Sequence, residues 1–254
     1  SLVAAACALI GVFLVLKRLS LIGDGMSHVC LTGVAVALLT SSNPVYMSVP
    51  VVVLSSLGIM KITQKFKIYG DAAIGIVSAA GLSVGLLITA FAGGFNTDLL
   101  GYLFGSILTV SWNEVLLCGI LLAAVLGGLR FFYRDLTSAC FDEPFARTRG
   151  VPVRIVNTAL VAVTSVAVVL AFKVVGIFLI SAMLIIPPVS ALLVSHTFKQ
   201  VLVCAACFGV ASVWLGVYLS FLFNIPSGAT IILVNLLVLA GCYIYAKVGG
   251  SDAR

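Results

Sequence analysis

The sequence predicts an all-α, polytopic transmembrane helical bundle of eight or nine spans. Three observations predict it. First, 62% of the 254 residues are hydrophobic and only 9% are charged, with a mean hydropathy of +1.28. A soluble domain carries about 25% charged residues, and a chain of this size leaves too much of itself at the surface to hide so much apolar side chain from water. Second, the apolar residues fall in runs close to the ~20 residues that a helix needs to cross a bilayer. Third, the basic residues collect in alternate short loops, the pattern that sets topology in a membrane. The net charge of +6 therefore reads as sidedness, and no nucleic-acid partner is expected.

The runs cover residues 1–16, 25–40, 45–60, 71–92, 113–129, 155–171, 174–194, 200–223 and 229–246. Lys17 and Arg18 follow the first. Lys61, Lys65 and Lys67 follow the third, and Arg130, Arg134, Arg147, Arg149 and Arg154 crowd the loop after the fifth. Lys199 follows the seventh, Lys247 and Arg254 lie in the tail, and Lys173 is the one basic residue in the intervening loops. Nine spans with a cytoplasmic C-terminus satisfy this alternation. Eight require one re-entrant segment, for which 101–110 and 225–230 are candidates. The first run has no basic segment before it and ends on Lys17-Arg18, so it does not read as a signal peptide. It reads as a first helix truncated at its N-terminus, opening a single membrane domain over 1–254.

Helix packing leaves its own marks. Gly81 and Gly85 stand four apart on the fourth run, where small residues let two backbones approach. Pro187-Pro188 interrupts the seventh run and predicts a helix break, because proline removes backbone donors. Seven cysteines lie mostly inside apolar runs. Cys204 and Cys207 form a C-x-x-C with neither a second pair nor a neighbouring His, so they read as packing residues.

One pair carries chemistry. Asp24 and His28 sit in Gly23-Asp24-Gly25-Met26-Ser27-His28, four apart and so on one helix face, about 6 Å apart along the axis. Twelve uncharged residues follow. Ionisable groups within a membrane face a cavity or a partner, and a carboxylate with an imidazole is half a site for a divalent ion such as Zn²⁺ or Mn²⁺. The competing structural reading makes Asp24 a helix cap and gives His28 a backbone partner. His196, beside Lys199, reads as an interfacial residue. There is no G-x-x-x-x-G-K-[ST] loop, H-E-x-x-H or G-x-S-x-G motif, so ATP hydrolysis by a P-loop and the common hydrolase chemistries are not encoded here. Uphill transport must draw on an ion gradient or on a partner.

The segments 14–40 (LVLKRLSLIGDGMSHVCLTGVAVALLT), 71–88 (DAAIGIVSAAGLSVGLLI), 98–111 (DLLGYLFGSILTVS), 141–153 (FDEPFARTRGVPV), 174–195 (VVGIFLISAMLIIPPVSALLVS) and 225–234 (IPSGATIILV) resemble, in order, the permease family of zinc, manganese and iron ABC importers. The resemblance implies a bacterial cytoplasmic-membrane subunit that pairs with a second permease subunit. It also implies an ATP-binding cassette subunit that hydrolyses ATP and an extracytoplasmic metal-binding protein that delivers the ion. No tightly bound cofactor is implied; the metal is the cargo. Asp24 and His28 match the family's aspartate–histidine pair, and LSLIGDGMSHV is most similar to the zinc-type branch, with manganese or iron as the other cargoes. A secondary carrier or channel, or an intramembrane metal-dependent enzyme, are the other readings.

The resemblance also implies that the loop at about 134–152 docks the ATPase. Phe141 and Phe145 stand there among Asp142, Glu143, Arg147 and Arg149. A short helix after Asp142, with Pro144 tolerated in its first turn, presents Phe145 inside a charged rim; the alternative is a solvated loop whose arginines only set topology. On the outer side, Asp98 and Glu114 lie in a stretch without Lys or Arg from 93 to 129. They make an acidic mouth that raises the local cation concentration, or two acids that merely mark the outside.

Overall fold

The computed structural model describes residues 1–66, 69–91 and 110–249. Ten helices occur among them: α1 Leu2–Leu16, α2 Ile22–Leu39, α3 Pro44–Phe66, α4 Gly70–Phe91, α5 Trp112–Phe141, α6 Glu143–Thr148, α7 Val153–Val175, α8 Ile177–Val194, α9 Phe198–Phe223 and α10 Ser227–Gly249. There is no strand among the described residues. Seven of these helices are long and apolar enough to cross a bilayer, and α1 and most of α8 are shorter apolar helices. The candidate re-entrant segment at 101–110 lies outside the described residues except for Val110. The one at 225–230 is a short connection and the first turn of α10 instead: Asn224 closes α9 in the left-handed region, at φ 53°, and α10 begins at Ser227.

The architecture is a bundle arranged around α1. Every residue of α1 from Val3 to Leu14 except Ala5 is buried, because α5, α7, α8 and α9 surround it. Beside it, α2 packs on α3, α4, α7 and α8, while α10 lies on α8 and α9. The outer helices keep large apolar side chains exposed, among them Leu87, Leu116, Phe221 and Leu237. In a membrane those faces meet acyl chains, which is why helices this apolar need no further cover.

Close approach is achieved where the sequence places small residues. A methyl added at Gly81 would lie 2.7 Å from Val29 Cγ2, and one at Gly85 would lie 3.0 Å from the Thr32 amide nitrogen. The Thr32 hydroxyl donates to the Gly81 carbonyl across the same contact. The pair thus brings α4 against α2 at the backbone, as its spacing predicts.

Two expectations are corrected. Pro187 and Pro188 do not break their helix: α8 runs through both. Each removes one donor, but the lost bonds are confined to one turn, and the neighbouring helix takes up the altered surface. The freed carbonyl of Leu184 lies against Gly11 of α1, where a methyl would overlap its oxygen. Second, the fifth span does not end at 129. It continues to Phe141 as a second helical segment across a kink at Phe132, whose dihedrals are non-helical; at about 1.5 Å per residue the part before the kink is already ~30 Å long, about the thickness of the hydrocarbon core. The segment 134–152 is therefore a helical extension followed by α6, rather than a loop.

Arg130 and Arg134 lie on that extension, and Arg147 and Arg149 at α6, a basic cluster of the kind expected on the cytoplasmic side. A cysteine introduced at the exposed Arg149 position should resist an impermeant maleimide in intact cells and react after permeabilisation. Labelling in intact cells would invert the topology.

Candidate functional site

The first turn of α2 sets the site. Its N-cap is Leu21, and no side chain caps it. Asp24 lies within the first turn and makes no capping bond, so the capping reading of Asp24 loses its basis. Asp24, His28 and Leu31 are the open positions of its first ten residues, Ile22 to Leu31. That i, i+4, i+7 spacing is a single face. Asp24 and His28 are 52% and 33% exposed at their side chains.

His28 Nε2 and Asp24 Oδ2 are 3.7 Å apart. This is too long for a hydrogen bond. It is close to the ~3.3 Å that separates two donors each ~2 Å from one tetrahedrally bound ion. The spacing is compatible with both groups reaching one ion. His28 Nδ1 is buried without a hydrogen-bond partner among the described residues.

A third group arrives from α8. The Ser181 hydroxyl donates to Asp24 Oδ1 at 3.3 Å, and Leu184, one turn further along α8, puts Cδ1 against Gly23. These contacts place the pair against α8: Ser181 lies one turn from the start of that helix at Ile177, and both side chains of the pair remain partly open. No cluster of three or more His, Cys, Asp or Glu suited to a metal occurs among the described residues, so the chain presents two such ligands on an open face.

Ser181 was not identified from the sequence, because a lone Ser in an apolar run carries no motif. Lys17 was read only as a topology mark; its Nζ donates to the Ala139 carbonyl at 2.9 Å and ties the end of α1 to the cytoplasmic part of α5. His196 is exposed between α8 and α9. Cys204 is half-buried, Cys207 is exposed, and both are free.

The short helix expected after Asp142 forms as its residues predict. Asp142 caps α6 by accepting from the Phe145 amide at 3.0 Å, and proline is accommodated in the first turn. Ala146 is buried with Ala139 and Val153, which seats α6 on α5 and α7. The opposite side is open. Phe145 is 53% exposed with the Arg149 guanidinium over its ring. Arg147 pairs with Glu143 at 2.6 Å. Phe141 is exposed with its ring edge-on to Phe198.

Of the two acids expected at an outer mouth, Glu114 alone is among the described residues. Asp98 lies outside the described residues. Glu114 is buried, and its carboxylate accepts from the Ser111 amide at 3.0 Å in a capping box at the start of α5. It serves the helix terminus instead of offering an open charge to cations. Ser111-x-x-Glu114 is itself a capping-box pattern, so the signal was present in the sequence.

A bundle of apolar helices, several long enough to cross a bilayer, with an acid and an imidazole on one open helix face, is that of a multi-pass membrane protein. The chain belongs to the ABC 3 transport family, whose model matches residues 1–246. It is 33% identical over 241 residues to the "Manganese transport system membrane protein MntC" of Listeria monocytogenes serovar 1/2a, covering 95% of this chain and 86% of that one. It is 31% identical over 249 residues to a Haemophilus influenzae protein named "Probable iron transport system membrane protein", covering 97% and 91%. Among solved structures, it matches "PsaBC from Streptococcus pneumoniae in complex with Fab" with a TM-score of 0.84 at 29% identity, covering 98% of this chain and 91% of that one.

Proposed function

We propose that this chain is the permease subunit of an ATP-driven importer of a divalent transition metal, with Mn²⁺ as the cargo, working in a bacterial cytoplasmic membrane. The observation that carries the reading is the Asp24–His28 pair, on one open face of α2, at a spacing that lets both groups reach one ion. Two ligands do not enclose an ion. A transit site needs that: it must replace part of the hydration shell yet release its cargo, and a closed structural cage would hold it. The same pair from a second permease subunit completes the set.

ATP hydrolysis belongs to a separate cassette subunit, for which α6 is the docking element, and an extracytoplasmic binding protein delivers the ion. The names of the relatives favour manganese or iron over the zinc suggested by the wording around Asp24. An oxygen donor beside an imidazole suits Mn²⁺. The test is uptake of Mn²⁺ by vesicles holding the whole complex, with Zn²⁺ and Fe²⁺ as competitors. ATP-dependent, vanadate-sensitive uptake in which Mn²⁺ outcompetes both is expected. Uptake that needs no ATP would favour a secondary carrier.

A further inference from the structure

We propose that Ser181 is a positioning residue of the metal path: its hydroxyl holds one oxygen of Asp24 so that the other faces His28. The inference rests on the reading of Asp24 and His28 as ligands.

Asp24 has two carboxylate oxygens with different surroundings. Oδ1 accepts from Ser181, and Oδ2 is the oxygen nearer His28 Nε2. The side chain is half exposed and makes no cap bond to its own helix. Ser181 is thus the group that selects one orientation for a carboxylate otherwise free to turn. At 3.3 Å the bond is longer than the ~2.8 Å of a tight O–H···O contact. That slack lets the carboxylate lean toward an arriving ion without losing the hydroxyl.

The height of Ser181 is itself determined. Leu184 is wedged between two glycines: its carbonyl meets Gly11 of α1 and its Cδ1 meets Gly23 of α2, and a methyl at either glycine would overlap it. Pro188 has no amide hydrogen to occupy that carbonyl, so the oxygen is available to pack on α1. Leu184 is one turn from Ser181, and Gly23 is the neighbour of Asp24. The two residues joined by the hydrogen bond are therefore registered by a steric lock beside it, although they are 157 positions apart in the chain. Partners that orient a metal ligand typically change affinity by about 10- to 100-fold when removed.

The test uses the purified complex of permease and ATPase, with Mn²⁺ itself as the probe and free Mn²⁺ read by its EPR signal. Ser181→Ala should weaken Mn²⁺ binding about tenfold. Ser181→Thr, which keeps the hydroxyl, should recover most of that loss. Equal losses in both variants would show that the position matters only for packing, and would overturn the proposal. Asp24→Asn separates the two levels. If it abolishes binding while Ser181→Ala binds as tightly as the wild type, Ser181 has no positioning role and the ligand reading stands. If Asp24→Asn also binds as the wild type, the ligand reading falls and the role of Ser181 falls with it.

Discussion

Replacing Asp24 by Asn should reduce metal uptake by roughly two orders of magnitude, the upper end of what even an orienting partner costs, while the subunit remains folded and bound to its ATPase. The structure separates function from stability at this position. Asp24 is half exposed, and it accepts a long hydrogen bond from Ser181. Its stabilising part is a carboxylate in the first turn of α2, worth about 0.3–1 kcal/mol against the helix dipole. Asn keeps the shape and removes the charge that a cation requires. His28→Ala should lose uptake to a similar extent, and the double variant should be little worse than either, because both groups act on one ion. Vesicles with matched protein levels give the comparison. Near-normal uptake in Asp24→Asn would remove Asp24 from the path and leave the imidazole without its nearest partner.

Phe145→Asp should uncouple ATP hydrolysis from uptake. Phe145 projects from α6 while Ala146 anchors the helix to the bundle. The N-terminal cap uses the Phe145 amide, not its ring, so the substitution leaves the helix its cap. What it loses is apolar surface offered to a soluble partner. Burying a Phe side chain contributes ~1.5–3 kcal/mol, so a carboxylate there should weaken ATPase docking by at least tenfold. Arg147→Ala is the contrasting variant. It removes an exposed i, i+4 pair with Glu143 worth about 0.2–0.5 kcal/mol, and should change coupling little. Co-purification of the ATPase, together with ATP consumed per ion imported, measures both. Normal docking and coupling in Phe145→Asp would make the segment an ordinary cytoplasmic connection.

The short helix within this segment forms for a local reason that the sequence already contained. Asp142, Pro144 and the buried Ala146 stand within a few residues of one another, and capping and proline placement act over one turn. The length of α5 was less legible. Arg130 and Arg134 end a hydropathy run, yet a helix can continue into water once its apolar part is anchored, and nothing in the charge pattern distinguishes that from a loop.

What the sequence by itself determined is what short-range physics controls. Runs of apolar residues must span a bilayer because unpaired backbone is too costly there. Asp24 and His28 must share a face because a helix turns once in 3.6 residues. Gly81 and Gly85 must mark a close contact because they have no side chain to prevent it. The tertiary structure decided which helices meet. It brought Ser181 to Asp24 across most of the chain, and it seated the carbonyl freed by Pro188 against Gly11, so that a dipeptide expected to break α8 stays inside it. Such contacts depend on the relative height and rotation of whole helices. Those are set by the summed packing of the bundle, and no local pattern of residues encodes them.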